Sequence, residues 1–277
     1  MADTLTLGTT RFLVRRPALV LSALVLVLVV AWAVAPKLFT SYDPLAGVPR
    51  EKLRGPSAAH LFGTDETGRD VFARVVHGAA LSLRATVIAV LIALIVGSLI
   101  GLVAGSRGGW LDSVIMRSVD VLLAVPSILL SLALVTALGF GTTKVAIAVG
   151  VANVAYFARL MRAEVLRVRT AVYVEAARGN GVRWFGVLWR HVLPNALGPV
   201  VALAVLTFGT AVLEISALSF LGFGATPPTP EWGSLVAGGR AYLASAWWMT
   251  TLPGLVIAAV VLSTNRVSRA LEGERHE

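Results

Sequence analysis

Three lysines, four histidines and no cysteine are the chain's supply of the side chains that most often do phosphate, metal or covalent chemistry. Lys37, Lys52 and Lys144 do not end a Gly-x4-Gly-Lys-Ser/Thr string, so this sequence carries no phosphate-binding loop of that kind. His60, His77, His191 and His276 have no metal-ligand spacing, and no Gly-x-Ser-x-Gly string occurs. Without cysteine, disulfides and thiolate metal sites are excluded. One acid, Glu214, lies deep within an apolar block, where a charge costs roughly 2.5–3.5 kcal/mol on insertion scales. It either lines a water-filled path or is paired inside a helix bundle. Asn153 and Tyr156, three apart on one helical face, either line such a path or bond a neighbouring helix. Asp65, Arg69 and Asp70 either contact a second protein or cap and pair within their own loop. These residues suit transport or recognition better than bond-making. A membrane enzyme would show clustered His, Asp or Glu at span ends, and none is evident.

The elements that must position them are membrane spans. The chain is 57% hydrophobic and 14% charged, where a soluble domain is about a quarter charged. The apolar residues fall in long blocks. The net charge of +9 is carried mostly by Arg. Such a balance can mean nucleic-acid binding, but here the basic residues flank apolar blocks, as cytoplasmic loops do, and no nucleic-acid partner is expected. The first block, Ala18–Ala35, is preceded by Arg11, Arg15 and Arg16 and reaches about 27 Å as a helix. Ala33-Val34-Ala35 resembles a signal-peptidase site, but the block is long for a signal core and Pro36 follows, so an uncleaved anchor is expected. A polar stretch to Leu83 comes next and ends in an amphipathic helix over Val71–Ala79. The second span, from Ala85 to about Ala104, carries a stripe of small residues that includes Gly97, Gly101 and Gly105. That stripe lets another helix approach, either in this chain or in a sister subunit.

Residues 106–118 read as a short loop. A third span over 119–139 should be kinked by Pro126. A fourth runs from Val145 to Met161 and leaves Arg159 free to snorkel. A fifth runs from Ala196 to Phe220. Residues 224–240 read as a Pro/Gly-rich loop, and a sixth span lies between Arg240 and Arg266, with Trp247 and Trp248 as interface anchors. Six spans place both ends on one side. Assigning them to the cytoplasm gives that side fifteen of the 24 basic residues.

The polar excursion VYVEAARGNGVRWFGVLWRHVLPNAL (172–197) should form two helical halves, around 163–178 and 182–192, broken at Gly179-Asn180-Gly181 and ending before Pro194. Small Ala176 and Ala177 at its tip would let a partner close in. Glu175-Ala176-Ala177, three residues, Gly181, then Leu193-Pro194 resembles the EAA loop of bacterial ABC importer permeases. One departure is His191, where the general pattern has an apolar residue. GTDETGRDVFAR (63–74), GGWLDSVIMRSVDVLLAVPSILL (108–130), ALSFLGFGATPPTPEWGSLV (217–236) and WWMTTLPGLVIAAVVLSTN (247–265) resemble the C-type permease of dipeptide, oligopeptide and nickel importers. The likeness runs from about Arg15 to Asn265, and the tail RVSRALEGERHE departs from it.

This resemblance implies an all-α fold of six transmembrane helices with a cytoplasmic coupling helix, in the type I importer architecture. It implies an anchor and extracytoplasmic loop within 1–84, a five-helix core over 85–265 with a coupling loop at 162–195, and a cytoplasmic tail from 266. Glu175, Ala176, Ala177, Gly181, His191, Leu193 and Pro194 would belong to the contact with the ATPase. The implied partners are a sister permease, two ATP-binding subunits, an extracytoplasmic substrate-binding protein and the lipid bilayer. ATP and Mg would bind the ATPase subunits, with no cofactor on this chain and no enzyme activity of its own. The implied cargo is a di- or oligopeptide, with nickel, haem or glutathione as alternatives. A single-chain secondary transporter would instead show several intramembrane acids.

Overall fold

The computed structural model describes residues 17–273. Arg11, Arg15 and Arg16 of the expected N-terminal tail, and Arg275 and His276 of the C-terminal one, lie outside the described residues. Ten α-helices follow in order among the described residues: α1 (Pro17–Val34), α2 (Val71–Arg107), α3 (Gly109–Leu123), α4 (Ser127–Leu138), α5 (Thr142–Arg169), α6 (Val172–Gly179), α7 (Trp184–Val187), α8 (Leu193–Phe220), α9 (Trp232–Gly239) and α10 (Trp248–Gly273). A π-turn at Leu188–Val192 joins α7 to α8. Five helices are long and apolar enough to cross a membrane, or six if the bent pair α3 and α4 counts as one span. Helices suit the bilayer because each satisfies its backbone polar groups internally.

Several boundaries differ from the sequence reading. The amphipathic segment after Val71 and the second span are one 37-residue helix, because nothing between them breaks the hydrogen-bond ladder. The expected loop at 106–118 is mostly helical. Gly108 and Gly109, both at positive φ, end α2 and start α3 within one residue. Pro126 does more than kink the third span: α3 and α4 meet at 92° across Ala124–Pro126. The fourth span is extended at both ends, to Thr142 and Arg169. The Pro/Gly-rich stretch 224–240 contains α9, and the last helix begins only at Trp248 and continues past Arg266 to Gly273.

Two compact units divide the contacts. One takes the described residues up to Arg84 and from Phe208 onward, the other Ala85–Thr207. In the first unit α1 and α9 pack on α10. Its core gathers Trp32, Val75, Val76, Trp232, Trp248 and Val260. The segments beyond the apolar helices are tied into a cap. Trp248 Nε1 donates to the Thr64 carbonyl at 3.1 Å, and Trp232 Nε1 donates to the Val75 carbonyl at 3.0 Å. Of the two expected interface tryptophans, then, only Trp247 is exposed; Trp248 is buried.

In the second unit α5 is the central helix, flanked by α3 and α4. The small-residue stripe of α2 packs against α5 of the same chain. A Cβ on Gly97 would sit 2.6 Å from Phe157 Cβ, and one on Gly105 would sit 2.9 Å from Val165 Cβ. At Gly101 it would meet the α5 backbone at Ala158 and Arg162. By contrast, a Cβ on Gly254 in α10 would meet nothing within 4 Å. Gly101→Ala should therefore destabilise the purified protein by about 1–3 kcal/mol through overpacking. Gly254→Ala should be neutral or stabilising by up to about 1 kcal/mol, since Ala is the better helix former. Thermal unfolding in detergent, followed by tryptophan fluorescence, checks the opposite signs.

Candidate functional site

The EAA segment is built from the second unit's core outward. Helix α5 ends at Arg169, and Thr170 and extended Ala171 turn the chain into α6. The expected helical half at 163–178 is thus two helices. Val174 roots α6 in a cluster with Val165, Val168, Val187 and Val192. That rooting leaves the opposite face outward: Glu175 and Ala176 are exposed, Ala177 is half-buried, and Val172 and Tyr173 are 82% and 48% exposed. Glu175 in the first turn and Arg178 in the last both suit the helix dipole.

The end of α6 explains Gly181. Its φ is +81°, in the left-handed region. The Gly181 N–H donates to the Arg178 carbonyl at 2.9 Å, and the Val182 N–H donates to the Ala177 carbonyl at 3.2 Å. These two bonds form a Schellman motif with glycine at the C′ position. Gly179, at the helix end, carries no such requirement. The chain re-enters at Trp184, and here the sequence reading needs correction. The second helical half does not end before Pro194. Instead, Leu188–Val192 widens into a π-turn, and α8 continues through Leu193 and Pro194. Such a turn re-registers the ladder where proline lacks its N–H and its ring would crowd the preceding turn. His191 lies in the π-turn, half-buried, and its carbonyl accepts the Asn195 side-chain amide at 2.6 Å. Leu193 is half-buried and Pro194 exposed.

Charge pairs brace this unit. Asp112 of α3 takes a bidentate bond from Arg162 of α5, both contacts at 2.6 Å. Arg159 is not left to snorkel but pairs with Asp120. Arg169 donates to the Gly105 carbonyl at 2.8 Å. Partners 39 to 64 residues apart in the chain leave no local pattern by which to find them.

The candidate path residues differ in setting. Asn153 is buried and donates to the Val149 carbonyl at 2.9 Å, whereas Tyr156 is 45% exposed, so one face does not present both alike. Glu214, half-buried on α8, belongs to the other unit.

In the first unit's cap Asp65 and Asp70 are each 4% exposed. Asp70 caps α2 through the Ala73 N–H at 2.6 Å and bonds His60 Nδ1 at 2.8 Å. Asp65 holds the Gly68 turn. Burial alone would raise its carboxyl pKa. The Arg69 N–H (3.0 Å), the Thr67 hydroxyl and N–H (2.7 and 2.8 Å) and the Arg69 guanidinium (2.6 Å) outweigh burial and hold it below the usual carboxylate range. Both acids therefore face into the loop, and Arg69 is the partner with an edge outward.

Sequence reasoning missed Glu231 entirely. It is fully buried and N-caps α9, accepting the Gly233 and Ser234 N–H groups, each at 3.0 Å, with the Ser82 hydroxyl at 3.5 Å. Burial pushes its carboxyl pKa up against those bonds. The available signal was Glu231-Trp-Gly-Ser234 after a proline run, a capping pattern.

With this geometry in place, comparison with known proteins places the chain. Residues 97–275 match the family described as binding-protein-dependent transport system inner membrane component. The chain belongs to that family. The permease is 43% identical over 239 residues to the dipeptide transport system permease protein DppC of Alkalihalophilus pseudofirmus, covering 86% of this chain and 79% of the relative. It is 37% identical over 262 residues to the glutathione transport system permease protein GsiD of Pectobacterium atrosepticum, covering 94% and 87%. An inward-facing structure of the MetNI methionine ABC transporter aligns with a TM-score of 0.57 at 21% identity, over 72% of this chain and 97% of that one, and supports the fold. The permease is thus an all-α membrane component of an ABC importer.

Two outcomes follow from the site. Gly181→Ala should cost about 1–2 kcal/mol of local stability at the left-handed position, and Gly181→Asn less. Faster hydrogen exchange at the Val182 amide in the Ala variant, with α5 unchanged, checks it. Because the Asp65 pKa is lowered on folding, its contribution to cap stability is complete above its unfolded pKa, near 4, and is lost as pH falls through the lower folded value. Asp65→Asn should remove that acid-side loss, read as a flatter unfolding midpoint between pH 5 and about 3.

Proposed function

We propose that this permease forms, with a sister permease, the translocation path of an importer for di- or oligopeptides, and that α6 is its contact with a cytoplasmic ATPase. The carrying observation is the build of α6. A short helix is rooted by buried Val174, closed by a Schellman turn at Gly181, and presents Val172, Tyr173, Glu175 and Ala176 outward. Exposed apolar side chains on a rigid protrusion suit docking. Glu175, Ala176, Ala177 and Gly181 then form the contact, with His191, Leu193 and Pro194 at its return into the membrane. ATP and Mg bind two partner subunits. ATP-driven closure of those subunits moves α6, and the spans rock between inward- and outward-open states.

Both termini lie in the cytoplasm in this reading, which places Arg159, Arg162, Arg167 and Arg169 on the positive side. The cap around Asp65, Arg69 and Asp70 then faces the substrate-binding protein. Asp65 and Asp70 hold its shape, and contact falls to the exposed residues around them. Peptide cargo rests on relatives named for dipeptide and glutathione transport, since glutathione is itself a short peptide.

The decisive experiment is a pull-down from native membranes with tagged wild type and Gly181→Pro. Proline fixes φ near −65° where +81° is needed, and it removes the N–H given to Arg178. Wild type should retain an ATPase pair and the variant should lose it, with insertion intact. If wild type retains no ATPase, the reading fails.

A further inference from the structure

The first half of α1 and the last turns of α10 enclose a groove of about 960 Å³ that none of the preceding functions uses. Its walls are mostly apolar, with Ser22, Ser263 and Asn265 among the lining residues. Leu21 and Leu262 are 64% and 69% exposed there, and Val25 lies beside them. Ser22 spends its hydroxyl on the Ala18 carbonyl at 2.8 Å and offers the groove no free donor. Arg266 and Arg269 line the same groove at the end where α1 begins. They lie three apart, so they share one helical face. Both are exposed, neither is held in an ion pair among the described residues, and no described lining residue is acidic.

Two adjacent guanidinium groups with no ion-pair partner among the described side chains repel each other, and an anion between them relieves that repulsion. Guanidinium matches phosphate oxygens in paired hydrogen bonds. An apolar trough that opens from a cationic mouth at a membrane boundary fits a molecule with an anionic head and an apolar tail. Basic sites between spans are known to hold anionic lipid headgroups. We propose that this groove binds one anionic phospholipid. Its phosphate sits between Arg266 and Arg269, and an acyl chain lies along Leu21, Val25 and Leu262. The preceding residues of this chain suit the groove less well, because Arg11, Arg15 and Arg16 bring more positive charge to a cationic mouth. The inference needs α1 and α10 to cross the membrane and is independent of cargo and of the ATPase contact.

The test is a lipid titration of the full-length chain in mild detergent, read by native mass spectrometry. Phosphatidylglycerol and phosphatidylcholine of matched chains are compared. Wild type should take its first phosphatidylglycerol at roughly tenfold lower concentration than phosphatidylcholine. Arg266→Gln with Arg269→Gln should erase that preference, and Arg266→Lys with Arg269→Lys should keep most of it. Leu262→Trp should fill the trough and weaken the first binding event for both lipids. If the Gln pair fails to insert, the Lys pair and Leu262→Trp still decide. Equal binding of the two lipids by wild type overturns the proposal, as does a Leu262→Trp variant that binds like wild type. A photo-crosslinker at position 262 in native membranes should yield a lipid adduct. A protein adduct would assign the groove to a partner helix and overturn the lipid site.

Discussion

At Gly97, Gly101 and Gly105 the backbone of α2 lies against α5 with no side chain between them. In lipid, apolar side chains gain nothing by leaving one apolar neighbour for another, so helices associate through close packing and polar bonds. The glycine stripe supplies the first. Asp112–Arg162 and the bond from Arg169 to the Gly105 carbonyl supply the second, at the end of α5 that leads into α6. The position of α6 depends on both. Helix α5 carries it, Val174 pins it to the same core, and the α2 contact fixes α5 along its length. A displacement applied to α6 is therefore passed to a packed helix pair rather than absorbed in a loop.

The turn after α6 serves the same rigidity. A glycine-rich stretch at a protein surface often means flexibility, but here Gly181 is used for its φ, and two backbone bonds close the helix end. The return path is also continuous. The π-turn at Leu188–Val192 lets the chain pass Pro194 without ending the helix, and α6 is held by α5 on one side and by α7 and the π-turn on the other. Packing and backbone bonds thus hold both ends of α6.

Much of this was legible in the sequence because it rests on local chemistry. Apolar blocks located the long helices, and Gly179-Asn180-Gly181 located the turn. The repeat of small residues located a helix contact, though not which helix would fill it. What was not legible has a common cause. Pro126 and Pro194 read alike as helix breakers, yet one separates two helices at 92° while the other sits inside a helix, relieved by a π-turn. Helix α9 carried a local cap signal at Glu231, but its burial was not legible, because Ser82 lies 149 residues away and Trp232 finds the Val75 carbonyl at a separation of 157. Of the two roles open to Asp65 and Asp70, the bonds in the loop show capping and pairing. Asp65 and Asp70 have the composition of a recognition loop, but they spend their oxygens on Thr67, Arg69, His60 and the start of α2.

Buried charge in the cap and exposed charge near the α5–α6 junction serve different ends. A carboxyl group removed from water must be well bonded to persist, so Asp65, Asp70 and Glu231 each hold more than one donor and fix one geometry. Such a cap resists deformation, because moving it would leave buried polar groups unbonded. The Arg159–Asp120 and Arg167–Glu164 pairs are more exposed, where water can replace either partner at little cost. The cap is thus held more tightly than the exposed charge pairs of the second unit.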